Sequence, residues 1–214
     1  IEDYKEKVKA NQTDKHNKVV MLYTNNVIAQ DGLIAACKQK GYDVIDMSEA
    51  IDNHFMQHLE YKLGDIVFVR IDSETINNLI QKDEKVESVL SEKEQEKVKS
   101  IFESVAVESK GATVQLQAMG VDDAPVVITK PEFMRRMKEM QLLQGMNFGD
   151  FPDMYQVVVN TNHPLVVSKL LTNKDEAAQK ELATYLYQLA QLNQGMLKGS
   201  ELSAFVSNSL KFLN

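Results

Sequence analysis

DEAAQKELATYLYQLAQLNQGMLKGSELSAFVSNSLKFLN, residues 175–214, decides how the rest of the chain is read. It predicts two amphipathic helices around a turn flanked by Gly195 and Gly199. Ala178, Leu182, Tyr185, Leu186, Leu189 and Leu192 recur at helical spacing in the first helix; Leu202, Phe205, Val206, Leu210 and Leu213 do so in the second. Stripes this wide exceed what two helices can cover for each other. The missing cover must come from upstream helices or from a second copy of the chain. Upstream, the helices expected at 91–106 and 164–172 are needed over a small sheet. The outer face of the pair is therefore expected to meet a second copy across a two-fold axis, with Leu182, Leu186, Leu189, Phe205 and Leu210 as buried contacts.

Working back along the chain, TVQLQA (113–118), PVVIT (125–129) and YQVVVN (155–160) read as strands of a small sheet. Gly120 and Asp122-Asp123 separate the first two closely, which predicts antiparallel pairing. Asn160-Thr161-Asn162-His163-Pro164 reads as a helix start, with His163 as a local capping or packing residue. Ser91-Glu92-Lys93-Glu94 is a capping box, and it opens a helix that buries Val98, Ile101, Phe102 and Val105.

The first part of the chain has a different rhythm. VVMLYT (19–24), YDVIDM (42–47) and IVFVRI (66–71) are apolar runs of strand length. Helices are predicted between them at 27–40, stopped by Gly41, and at 49–61, capped by Ser48. Continuous apolar strands alternating with helices point to a parallel sheet covered on both faces. Residues 72–90 predict a polar helix followed by a connector. The expected fold is α/β plus α+β. A small three-layer αβα unit over 1–85 precedes an α+β domain over 86–214 that ends in the helical hairpin.

Composition excludes several function classes. With 24 Lys+Arg against 31 Asp+Glu the net charge is -7, which disfavours nucleic acid as the main partner. No apolar run reaches the roughly 18–20 residues that a membrane-spanning helix needs. The single cysteine, Cys37, has no internal disulfide partner; its place in LIAAC (33–37) marks it as a buried, inert thiol in a reducing compartment. The chain opens at Ile1 in a charged helix-like stretch, as expected of a piece of a longer protein.

Sites of chemistry are sparse. The strand–helix alternation raises a nucleotide-binding enzyme, yet VVMLYT runs into Thr24-Asn25-Asn26 with neither GxGxxG nor a GKS/GKT loop. His54 and His58 stand one helical turn apart, but a zinc site needs a third ligand and HEXXH is absent. In Pro131–Met140, Phe133, Met137 and Met140 fall on one narrow helical face, with Arg135, Arg136, Lys138 and Glu139 on the rest. That face either docks on the small sheet or forms an adaptable binding surface, a common use of flexible, polarizable methionine. Two further readings stay open: a nucleotide- or metal-binding enzyme on the αβα unit, and a dimeric interaction module.

YQVVVNTNHPLV (155–166) and LYQLAQLNQGMLKGSELSAFVSNSLKFL (186–213) carry a family resemblance, supported by KVVMLYT (18–24) and GYDVIDMSEAID (41–52). The chain resembles the ninety-kilodalton heat-shock protein chaperone family, in its bacterial form, over essentially its whole length. The resemblance implies that 1–85 is the C-terminal part of a middle domain and 86–214 a C-terminal dimerisation domain. It implies an ATP-dependent, cytoplasmic stress-response chaperone that binds ATP and Mg in parts not included here. These residues would then need no cofactor and would have no catalytic residues or ATPase activity of their own. Its implied partners are a second copy and unfolded or partly folded client proteins, with neither nucleic acid nor membrane. By position, Phe133, Met137 and Met140 match the apolar contacts of the family's client-binding helix. His54 takes the place of a tryptophan in a second client patch, where Phe55 and Met56 supply apolar surface. The chain ends at Lys211–Asn214 without the acidic tail of eukaryotic cytosolic members, in keeping with the bacterial type.

Overall fold

The computed structural model describes residues 1–49, 51–82, 86–107, 109, 111–133, 136 and 154–210. The chain is mixed α/β and divides into two compact units, each with its own sheet. Unit 1 comprises Ile1–Lys85 together with Pro131–Arg136; unit 2 comprises Val86–Lys130 and Met137–Asn214.

Unit 1 is built on α1 (Glu2–Lys9), β1 (Val19–Thr24), α2 (Asp31–Gln39), β2 (Ile45–Asp46), α3 (Asp52–Leu63) and β3 (Ile66–Arg70). The strands form a parallel sheet in the order β2-β1-β3. All six residues of β1 are buried, because it is the central strand and both of its faces are covered. Successive side chains alternate between two cores. Val19, Met21 and Tyr23 pack with Val8 of α1, Met56 and Leu59 of α3, and Phe68 of β3. Val20 and Leu22 pack on the other face with Ile34 and Cys37 of α2 and with Ile71, Leu79 and Ile80. Gly41 follows α2 at φ +74°, the left-handed conformation that ends a helix at low cost for glycine.

Three sequence expectations for unit 1 are corrected. The second strand contracts from 42–47 to Ile45–Asp46, pairing only through Tyr23↔Ile45 and Thr24↔Asp46. α3 starts at Asp52 rather than behind a Ser48 cap; the Asp52 carboxylate instead accepts from the Glu49 N–H at 2.9 Å and closes the preceding turn. The described part of 72–90 contains no helix. There, Ser73 donates its N–H to Arg70 O, Asn78 and Leu79 donate to Thr75 O, and Leu79 and Ile80 are drawn into the core. Asp72, the first residue of the stretch, forms a buried ion pair with Arg70.

Unit 2 comprises α4 (Glu92–Ala106), β4 (Ala112–Gln117), β5 (Val126–Thr129), β6 (Tyr155–Asn160), α5 (Leu165–Leu170), α6 (Glu176–Asn193) and α7 (Gly199–Ser209). Its sheet order is β4-β6-β5, with β6 parallel to β4 and antiparallel to β5. This corrects the expected antiparallel pairing of the first two strands, which do not pair. Strand β6 takes the centre because Val157, Val158 and Val159 are its most apolar run, buried on both faces. The Gly120–Asp123 turn, closed by the Gly120 N–H to Asp123 Oδ2 bond of 2.8 Å, leads the chain past β6 to its far side.

Helix α4 begins at the predicted capping box: the Ser91 N–H donates to Glu94 Oε2 at 2.8 Å and the Ser91 hydroxyl to the same oxygen at 2.6 Å. Val98, Phe102 and Ala106 are its buried side chains. α5 is wound as a π-helix, with the Leu171 N–H reaching back five residues to Val166 O. Asp175 caps α6 by accepting from the Ala177 N–H at 2.9 Å. One core gathers Phe102, Val157, Val159, Val166, Leu170, Ala183, Leu186 and Tyr187.

Candidate functional site

Two surfaces carry the residues singled out from the sequence, one in each unit. On unit 2, α6 is apolar on more than one side. Ala183, Leu186, Tyr187 and Ala190 face the core, and the Tyr187 hydroxyl is fixed at 2.6 Å from Tyr155 Oη while donating to Ser109 Oγ at 2.9 Å. Burial pushes the Tyr187 phenol above its ordinary value, so it stays protonated and able to donate. Leu189 and Leu192 lie away from this face, 40% and 39% exposed. On α7, Leu202, Val206 and Leu210 recur four apart and are also exposed. Among the described residues, these leucines and valine are the large apolar side chains that α6, α7 and the residue ending α7 leave exposed.

That arrangement revises the proposed contacts to a second copy. Leu186 is 1% exposed and belongs to the core of its own chain. Phe205 is buried too, stacked on Tyr185 with centroids 5.6 Å apart and planes 13° apart, so it fastens α7 to α6. Leu182 is half-buried and lines a cavity of about 630 Å³ between α5 and α6 together with Leu165 and Tyr185. Leu189 and Leu210 point outward; Leu192, Leu202 and Val206 join them. Helical spacing alone could not separate the two stripes of α6, because both satisfy it.

On unit 1, Phe133 is 73% exposed. Its neighbours are anchored. Arg136 donates through Nη1 to Glu60 Oε2 at 2.8 Å and through Nη2 to Glu60 Oε1 at 3.0 Å. It also donates through Nε to Glu132 Oε1 and through Nη2 to Phe68 O, each at 3.0 Å. The Tyr23 hydroxyl donates to Glu132 Oε1 at 3.2 Å. The Glu60 carboxylate raises the Arg136 pKa against the opposing effect of burial, so the guanidinium stays charged. The sequence reading missed this role; the Glu132/Arg136 spacing of four was the one available signal, and nothing local pointed to Glu60.

The α3 candidates divide. His54 and Phe55 are exposed, whereas Met56 is 3% exposed in the core with Tyr23 and Phe68, so its expected place on a client surface is corrected. The helical period turns Met56 inward together with Leu59. Met137 and Met140 lie outside the described residues. His58 is exposed like His54, and among the described residues no group of three or more His, Cys, Asp or Glu side chains could hold a metal ion. Cys37 is fully buried, and burial pushes its thiol up to about 12. His163 acts as a local cap, its Nδ1 accepting from the Leu165 N–H at 3.1 Å.

Asn160 and Asn162 also do more than start a helix. Asn160 Oδ1 accepts from the Met119 and Asn162 N–H groups, and its Nδ2 donates to Gly120 O at 2.8 Å. Asn162 Oδ1 accepts from the Val89 N–H at 2.9 Å, while its Nδ2 donates to Glu87 O and Met119 O at 3.0 and 3.1 Å. Two amides thus staple the 86–90 stretch and the 117–120 turn to the end of β6. Among the described residues no helix is long and apolar enough to cross a membrane.

A model of the Hsp90 protein family matches residues 1–213. The chain is 38% identical over 207 residues to a chaperone protein HtpG of Bacteroides fragilis, covering 94% of this chain and 30% of that protein. It is 38% identical over 196 residues to the Porphyromonas gingivalis chaperone protein HtpG, covering 90% and 28%. With the Bacteroides thetaiotaomicron chaperone protein HtpG it shares 39% over 187 residues, covering 86% and 27%. The chain thus spans about 30% of the length of these curated relatives. A match that runs from the first strand unit to the terminal helices makes this chain a member of the Hsp90 family of heat-shock chaperones.

Proposed function

We propose that this chain is the piece of a ninety-kilodalton heat-shock chaperone that joins two copies and presents part of the surface that holds partly unfolded client proteins. On this reading residues 1–85 end a middle domain and 86–214 form a dimerisation domain. ATP, with magnesium, binds the parent protein outside these residues, which lack ATPase activity themselves. The parent works in the cytoplasm.

The observation that carries the reading is the exposure of Leu189, Leu192, Leu202, Val206 and Leu210 along α6 and α7. Apolar side chains of this kind, exposed on both helices and separate from the core-facing side of α6, are suited to a helical bundle with the same two helices of a second copy. Light scattering is the test. The unaltered chain is expected at twice 24.2 kDa. Leu189→Glu combined with Val206→Glu is expected to return it to a monomer with unchanged circular dichroism. A dimer that survives both charges removes this face from the interface.

The client surface is supported by Phe133 and Phe55, aromatic side chains left in water on unit 1. Phe133→Ser and Phe55→Ser are expected to weaken suppression of the aggregation of heat-denatured citrate synthase. Undiminished suppression by both would remove these two side chains from the client surface, and no suppression by the unaltered chain would favour a dimeric module that binds no clients.

A further inference from the structure

We propose that Arg136 is a positioning residue for the client surface: by tying its segment to the free edge of β3 it fixes the presentation of Phe133. This rests on the reading of Phe133 as a client contact. β3 is an edge strand in the order β2-β1-β3, and the N–H and C=O of Phe68 are satisfied by side chains rather than by another strand. Glu60 Oε1 accepts the Phe68 N–H at 2.7 Å, and Arg136 Nη2 donates to Phe68 O at 3.0 Å. The same guanidinium grips both oxygens of Glu60 and reaches Glu132, the residue next to Phe133. An exposed aromatic ring gains contact energy with a partner only if little freedom is lost on binding, so anchoring its backbone beforehand favours binding.

The chemistry is specific to arginine. One planar cation serves two carboxylates and a carbonyl, an arrangement that a lysine ammonium cannot span as a fork. The Glu60 and Glu132 side chains are only 18% and 19% exposed. Removing the cation leaves two partly buried carboxylates around an empty space, and their repulsion drives Glu132, with Phe133, away from α3.

The chain has no tryptophan, so Phe133→Trp provides a single fluorescent reporter at the exposed position. In that background Arg136→Ala is expected to lower the emission anisotropy and increase acrylamide quenching. Arg136→Lys and the milder Glu60→Gln are expected to fall in between. Unchanged anisotropy in Arg136→Ala with native circular dichroism overturns the proposal; should that variant unfold, unchanged anisotropy in Glu60→Gln does the same. In the citrate synthase assay, Arg136→Ala is expected to raise the half-suppressing concentration of chain by about three- to tenfold, the scale of losing charge-assisted hydrogen bonds. It should add nothing in a Phe133→Ser background. Full additivity places the effect of Arg136 elsewhere and overturns the proposal. If Phe133→Ser alone has no effect, the client reading of Phe133 fails, and the anisotropy series still decides whether Arg136 orders the segment.

Discussion

Tyr185 and Phe205 stack with nearly parallel planes, 5.6 Å between centroids, and this contact packs α7 against α6. It also means that the apolar residues of α6 and α7 have two different duties. Phe205→Ala is expected to destabilise unit 2 by about 3 kcal/mol, the usual cost of removing a buried aromatic ring. Leu189→Ala, at a site 40% exposed, is expected to cost well under 1 kcal/mol in a monomeric background. Urea melts of the two variants check the difference; equal losses would place both in one core.

Asn162 is expected to be among the most sensitive polar positions of unit 2. Asn162→Ala removes bonds to Val89, Glu87 and Met119 and strands the buried Met119 carbonyl, at a cost of about 1–3 kcal/mol. Hydrogen exchange should report it locally as faster exchange at Val89. Asn162→Asp should be no better, since a carboxylate has no N–H to give Glu87 O and Met119 O.

Acid should loosen unit 2 in two windows. His163 sits below its ordinary value of 6.5, chiefly through burial, partly offset by Asp122. Its neutral form is the native acceptor, so its contribution is present above the unfolded value and lost as pH falls through the lowered one. Glu94 is held below its ordinary 4.5 by the Ser91 hydroxyl and then by the Ser91 N–H. Its contribution likewise is present above about 4.5 and disappears as pH drops through the folded value. Melting temperature against pH should lose the first step in His163→Ala and the second in Glu94→Gln.

Cys37 should be silent in the folded chain. With its thiol raised to about 12 and no exposed surface, it is expected to ignore Ellman's reagent at pH 8 and to react at once in guanidinium chloride. Rapid reaction without denaturant would mean that the α2 side of the sheet opens readily.

The sequence alone determined the local elements whose signals are internal to them. VVMLYT could only be a strand buried on both faces; Ser91 and Glu94 supply each other's hydrogen bonds; Asp175 and the glycines at 195 and 199 delimit two helices by rules that act within a few residues. It also determined the family, through the order of these elements and the NTNHPLV segment. The tertiary structure alone decided what depends on residues distant in the chain. Strand β6 came between β4 and β5 because burial of its three valines on both faces outweighed the short turn that joined the other two. Leu186 went inward and Leu189 outward on the same helix because the core takes only one side of α6, and a stripe of period 3.6 does not say which. Arg136 found Glu60, 76 residues away, because the edge of β3 leaves Phe68 with backbone groups to satisfy. Spacing records which residues can share a face; only packing decides which face becomes the core and which is left for a partner.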